Sequence, residues 1–278
     1  MSTTIIVPLD GSDFADRAIP VADMLARRTA GTIVLVALKG NGMPLDLDGF
    51  LDDHAQRFKV QAKHNVFTTG TADEAIATVA ALHPGPLVVM SSHGPTAIGE
   101  LVVGSVTSEV LHQVSAPILL LGPHAHPDAQ AGAPVPDYAS ILLCVDGSKA
   151  SEAAIAQAKL WGTKLAAKAT VIQVLDPAKA RRDTNSIEAV NEAGYIQRVA
   201  HDLHDVGIDS TFDVLHDPHA DRAIVQQARE LPNPIIIMAT HGRTGVARIA
   251  LGSTAMAVVR HAHCPVLVIR PTNLAAEA

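Results

Sequence analysis

Two stretches of this chain carry the residue types that cradle a phosphate. Gly94 is followed ten residues later by Gly104-Ser105, and Gly242 ten residues later by Gly252-Ser253. Each is entered from an apolar run and leads into helical spacing. A glycine lets backbone amides approach phosphate oxygens with no side chain between. A helix N-terminus adds free N–H groups and the positive end of the helix dipole. Asp10 and Asp146 each open an Asp-Gly-Ser turn after an apolar run, and a carboxylate there accepts hydrogen bonds from an adenine amino group or a ribose hydroxyl. Arg243 and Arg248, in the second stretch only, add countercharge. Together these residues point to nucleotide binding.

The elements that position them are repeated too. Ile5-Ile6-Val7-Pro8-Leu9-Asp10-Gly11-Ser12 returns as Ile141-Leu142-Leu143-Cys144-Val145-Asp146-Gly147-Ser148, and Ala116-Pro117-Ile118-Leu119-Leu120-Leu121 as Cys264-Pro265-Val266-Leu267-Val268-Ile269. Two copies of one domain in tandem is the economical reading. Asp146 lies 136 residues after Asp10, whereas Gly252 and Pro265 lie 148 after Gly104 and Pro117. The first copy therefore lacks twelve residues. Pairing Thr170 with Thr32 at 138, and Ala223-Ile224 with Ala75-Ile76 at 148, puts most of the deficit between those points, mainly in the second helix. The division is 1–122 for the first domain, with a shortened second helix, a Pro-, Ala- and Gly-rich linker over 123–138, and 139–278 for the second.

Apolar runs separated by helical stripes alternate five times in each half, the pattern of an open parallel sheet. Strands are expected near Thr4-Leu9, Thr32-Leu38, Asn65-Thr68, Pro86-Met90 and Pro117-Leu121, then Ser140-Val145, Thr170-Leu175, Ser210-Leu215, Pro234-Ala239 and Pro265-Arg270. A helix stripe of Ala15, Ala18, Ile19, Ala22 and Leu25 follows a Ser12 cap; Ala154, Ile155, Ala158 and Trp161 follow Ser148. The fold class is α/β: two tandem open parallel five-stranded sheets with helices on both faces, Rossmann-like. Ligands bind such sheets at the carboxyl ends of the strands where the order reverses, the rim that receives Asp10, Asp146, Ser91 to Gly94 and Ala239 to Gly242.

Other chemistries find less support. A net charge of -7 and 3% aromatic residues argue against nucleic acid, which needs clustered cations or stacking rings. No apolar run reaches the roughly 18 to 20 residues of a membrane span, so a cytoplasmic location is expected. Cys144 and Cys264 are read as core residues of buried strands in a reducing compartment. His261 and His263 beside Cys264 are two apart and share no helix face, so no metal is expected. His93 and His241 fall on the rim but have no nucleophile at motif spacing, and no Walker lysine is present. Asp-Gly-Ser and Gly-Ser are also ordinary helix-capping turns; it is their conjunction, twice on one rim, that favours binding over capping alone.

The same residues resemble the universal stress proteins in their tandem form, whose fold is that of the adenine-nucleotide hydrolases. ATP-binding members carry Gly-x-x-Gly, nine residues, then Gly-Ser or Gly-Thr, with an Asp ending the first strand. The resemblance covers essentially the whole chain and implies a stress-response or signalling module that binds ATP, alone or with magnesium. Carried over, it implies Pro8, Asp10, Val36, Gly94, Gly104, Ser105, Val106 and Thr107 in the first pocket. In the second it implies Asp146, Val174, Ala239, Gly242, Arg243, Gly252, Ser253 and Thr254. The chain departs from the motif at its first glycine, where it has Ser91 and Ala239, and Pro95 removes a donor that Arg243 retains. Two alternatives stand beside nucleotide sensing: an interaction module of this fold that binds no nucleotide, and a slow ATP hydrolase. The resemblance further implies an intramolecular pseudo-dimer through the last strands of the halves, a possible homodimer, and a downstream protein partner.

Overall fold

The computed structural model describes residues 3–40, 43–92, 104–125, 135–180, 186–240 and 251–270, with backbone alone at 149–150, 179–180 and 186–193. The chain divides into two units, Met1–Pro136 and Asp137–Ala278.

Unit 1 runs β1 (Thr4–Pro8), α1 (Asp13–Asp16), α2 (Ala18–Thr29), β2 (Thr32–Leu38), α3 (Leu47–Ala55), β3 (Ala62–Phe67), α4 (Ala72–Leu82), β4 (Pro86–Ser91), α5 (Ser105–Gln113) and β5 (Ile118–Leu121). Its strands lie in the order β3-β2-β1-β4-β5, all parallel. Unit 2 runs β6 (Ser140–Cys144), α6 (Lys149–Leu165), β7 (Lys168–Leu175), α7 (Pro177–Ala180), α8 (Ser186–His204), β8 (Ser210–His216), α9 (Ala220–Arg229), β9 (Pro234–Ala239), α10 (Ser253–His261) and β10 (Val266–Ile269). Its order is β8-β7-β6-β9-β10, again all parallel. In each unit the order reverses between the first and fourth strands, which puts a switch point beside Asp10 and beside Asp146.

The central strands are continuous apolar runs because helices cover both faces. Ile5, Ile6 and Val7 are fully buried, as are Ile236 and Ile237. The edge strands β3 and β8 are half-exposed, and Lys63, His64 and Asp213 are tolerated there. Their polar composition explains why the expected third strand began three residues late, at Asn65 rather than Ala62.

The registers locate the length difference. Thr4 faces Thr32 and Ser140 faces Lys168, so the offset of 136 still holds in the second strand of each unit. Thr32 is therefore matched by Lys168; the pairing with Thr170 was two residues out, drawn by a shared residue type. One strand later, Ile33 faces Ala62 and Ala169 faces Ser210, an offset of 148 between Ala62 and Ser210. All twelve residues fall between the second and third strands, where α3 has 9 residues and α8 has 19.

The first helical stripe also differs between units. In unit 2 it is the single helix α6; in unit 1 it breaks at Arg17 into α1 and α2. Pro20 supplies the reason: it has no N–H for the Asp16 carbonyl, and its ring crowds that carbonyl. The matching residue, 136 positions on, is Ala156. Cys264 corrects the expectation of a strand cysteine: it precedes β10, and burial pushes its thiol up to about 12. Cys144 ends β6 half-buried, its thiol also raised by burial.

Candidate functional site

Beyond β1 the chain stays bonded to β2 for one more residue, Leu9 N–H donating to the Val36 carbonyl at 2.9 Å. Asp10 then begins a turn that Gly11 completes at φ +80°, a left-handed conformation open to glycine. The Ser12 amide and hydroxyl both donate to Asp10 Oδ1, at 3.0 and 2.6 Å, while Ser12 Oγ accepts from the Ala15 amide at 3.2 Å. Ser12 thus caps α1 and holds Asp10 at the same time. Asp10 Oδ2 has no partner among the described residues, and the side chain is exposed.

Unit 2 repeats the device. Val145 N–H donates to the Ile172 carbonyl at 3.0 Å, Gly147 takes φ +78°, and the Ser148 amide and hydroxyl donate to Asp146 Oδ1 at 3.1 and 2.6 Å. Ser148 Oγ caps α6 by accepting from the Ser151 amide at 3.2 Å. Ser151 adds a contact that unit 1 lacks: its hydroxyl accepts from the Asp146 amide at 3.4 Å. Burial raises the nearby Tyr195 phenol; the Ser151 side chain and the Arg198 charge oppose the rise, and the Glu152 and Asp146 carboxylates add to it.

At the fourth strand the two units again match. Ser92 N–H donates to Leu121 and its carbonyl accepts from the Gly104 amide at 2.9 Å; Thr240 N–H donates to Ile269 and its carbonyl accepts from Gly252 at 2.8 Å. In each unit these bonds bring the residue after the fourth strand against the glycine that opens the next helix. Gly104 and Gly252 are the N-caps of α5 and α10, in extended backbone, with no side-chain hydrogen bond closing the cap among the described residues. The first amides of both helices have no partner within the helix, and Ser105, Val106, Ser253 and Thr254 there are exposed. Thr107 is buried, and its hydroxyl donates to the Ser91 carbonyl at 3.3 Å. Ala255 takes that position in unit 2.

The remaining expected residues sit as follows. Pro8 faces Val36 in register, and Val36 is buried. The equivalent pair in unit 2 is Cys144 and Ile172, so Val174, which faces Leu215, lies two residues beyond the position it was chosen to match. Ser91 and Ala239 end β4 and β9, both buried; Ser91 Oγ donates to the Phe14 carbonyl at 2.5 Å, which ties α1 to the end of β4. Gly94, Gly242 and Arg243, with His93, His241 and Arg248, lie outside the described residues. Among the described residues no group of three or more His, Cys, Asp or Glu is placed to hold a metal ion, and no helix is long and apolar enough to cross a membrane. The sequence reading missed Ile172, Ser151 and Tyr195. Ile172 was legible had the offset of 136 been carried through, whereas Tyr195 lies on a helix with no counterpart of its length in unit 1.

What this rim can do is bind. It offers a carboxylate for hydroxyl or amino groups and, across the switch point, a helix N-terminus for an anion, in each unit.

The model of the universal stress protein family matches residues 45–122 and 137–270. A universal stress protein of Mycolicibacterium smegmatis is 28% identical over 195 residues, covering 66% of this chain and 62% of that protein. The match thus spans less than two thirds of that relative's own length. One from Methanocaldococcus jannaschii is 32% identical over 142 residues, covering 48% of this chain and 82% of that protein. Among solved structures, a universal stress protein from Archaeoglobus fulgidus superposes with a TM-score of 0.65 at 19% identity, covering 96% of each chain. A functionally unknown protein from Pseudomonas aeruginosa gives 0.67 at 19% identity, covering 96% of this chain and 92% of that one. At that identity the likeness is one of fold.

Proposed function

The chain belongs to the universal stress protein family, and on that premise we propose that it is a tandem stress-response module of the cytoplasm whose rims bind adenine nucleotide. The observation that carries this reading is the pairing, in both units, of a serine-held aspartate with a glycine-capped helix that no side chain closes among the described residues. Asp10 Oδ2 suits a ribose hydroxyl or adenine amino group; the amides of Ser105 and Val106, with the Ser105 hydroxyl, suit phosphate oxygens. Asp146, Ser253 and Thr254 have the same roles in unit 2, and ATP would supply the anion. Gly94, Gly242 and Arg243 complete the proposed sets.

A second reading, an interaction module that binds no nucleotide, is favoured by one feature: Ser91 and Ala239 place a Cβ at the position where the binding motif has its first glycine. One experiment separates the two. The protein is purified without added ligand and denatured, and released adenine nucleotide is counted per chain for the parent, Asp10→Asn and Asp146→Asn. Near-stoichiometric ATP, lost in one variant, establishes the sensor and names the working unit. No nucleotide, and no heat on adding ATP, establishes the second reading. Phosphate release from added ATP would reassign the module as a slow hydrolase.

A further inference from the structure

We propose that unit 2 carries a second ligand site, on the outer face of α9, that takes a small hydroxylated oxyanion. A cavity of about 730 Å³ lies there, lined by residues of α9, the end of β8 and His261 at the end of α10. None of its lining residues belongs to the nucleotide rim.

The charge on its wall is built into one helix. Arg222, Gln226 and Arg229 fall at i, i+4 and i+7, one face of α9, so the two arginines are rooted about 10 Å apart along the helix. Neither is engaged in an ion pair among the described residues. Arg229 still projects its charge: with burial as the larger cause, it helps hold the His263 imidazole below the ordinary histidine value. Leu215 and Val225 supply apolar lining to the cavity, and Asp217 and Asp221 supply carboxylates. Guanidiniums select phosphate or carboxylate; carboxylates and a carboxamide select hydroxyl groups. A ligand with both, a phosphorylated or carboxylated polyol, satisfies the whole lining.

Unit 1 shows that the fold does not require this arrangement. At an offset of 148, Asp221 and His261 match Asp73 and Gln113, and in unit 1 the Gln113 side-chain amide donates to the Asp73 carboxylate, bridging α4 to α5. Arg222 and Arg229 match Glu74 and Ala81, so the cations are absent as well. Glu74 is used instead in the capping box at Thr71. The same seam is cross-linked in one unit, and open and cationic in the other.

The test is a titration of the ¹⁵N-labelled full chain with ribose 5-phosphate and, separately, gluconate, which distinguishes phosphate from carboxylate. The expected result is saturable shifts at the amides of Arg222 to Arg229 and at the Gln226 side chain with one of them. Arg222→Gln and Arg229→Gln should each weaken binding about tenfold, as loss of one charge-assisted hydrogen bond predicts. Both positions are exposed, so the variants fold, and the ATP content of the protein should not change. Absence of saturable α9 shifts with either probe overturns the proposal, as do shifts undiminished in the double variant. Shifts confined to Ser253 and Thr254 would report the rim and overturn it equally.

Discussion

The two units differ least where the strands end and most in what fastens the surrounding helices. Around the rim the copies share one scheme, a serine that caps a helix while holding an aspartate and a glycine amide bonded to the residue just past the fourth strand, and differ there in the side-chain bonds of Ser91, Thr107 and Ser151. Away from it they diverge. Unit 1 breaks its first helix at Arg17 and clamps the fragment to α3 and the turn after it, through Asp16 with His54 at 3.2 Å and Arg57 at 2.6 Å. Unit 2 keeps that helix whole and uses a 19-residue second helix instead. Turn geometry is the part that backbone chemistry dictates, because few residues satisfy a left-handed position or a cap. The outer walls need only bury apolar area, which many arrangements do.

The largest expected effects test how firmly each second helix is held. Leu51, in the short helix α3, and Leu203, in the long helix α8, are both fully buried. Truncating either to alanine should cost about 2–5 kcal/mol through lost burial and the cavity left behind. The consequences should differ in reach. α3 buries only Leu47, Leu51 and His54, so Leu51→Ala should abolish hydrogen-exchange protection across the whole helix. α8 also has Ile196, Val199 and Ala200 buried, so Leu203→Ala should leave its neighbouring turns protected. Equal loss of protection in both would show that helix length does not set local stability here.

Next in size is the helix break. Ala156→Pro places proline in the interior of α6, where it should cost about 3 kcal/mol and create in unit 2 the discontinuity of unit 1. Pro20→Ala should do the reverse, giving the Asp16 carbonyl its missing donor and joining α1 to α2, visible as hydrogen-exchange protection of the amide gained at position 20. If Arg17 keeps its break in Pro20→Ala, the clamp on Asp16 rather than the proline is its cause.

These elements also show how far the sequence could be read. Central strands were legible because burial on both faces leaves an unbroken apolar run, as in Ile235 to Met238. The edge strand β3 was not, since Lys63 and His64 sit among its apolar residues without cost at an exposed edge. Asp10, Asp146, Gly104 and Gly252 were legible because turn and cap positions admit few residue types. Val174 was misplaced by two because Thr170 resembles Thr32 in type, while strand register follows main-chain bonds that residue type does not encode. The α9 cations went unnoticed for a similar reason: arginines on the polar face of an amphipathic helix read as a solvated surface until the cavity beside them is known.

The smallest effect is the most specific to unit 1. Burial alone would raise the Asp16 carboxyl, but hydrogen bonds and charge from His54 and Arg57 outweigh it and hold the group below the ordinary aspartate value. A lowered folded value means that the unfolded chain binds the proton more readily. The clamp therefore contributes fully above the ordinary aspartate range, about 3.9, and is lost as the pH falls below it through the lowered folded value. Because Arg57 is partly solvated, the contribution is screened, and Asp16→Asn should cost only about 1 kcal/mol at neutral pH. Urea unfolding of parent and variant should differ at pH 7 and converge near the acid limit, with added salt narrowing the gap at pH 7. A gap that persists unchanged into acid would mean that Asp16 holds α1 by packing, and that the two units differ in shape rather than in charge.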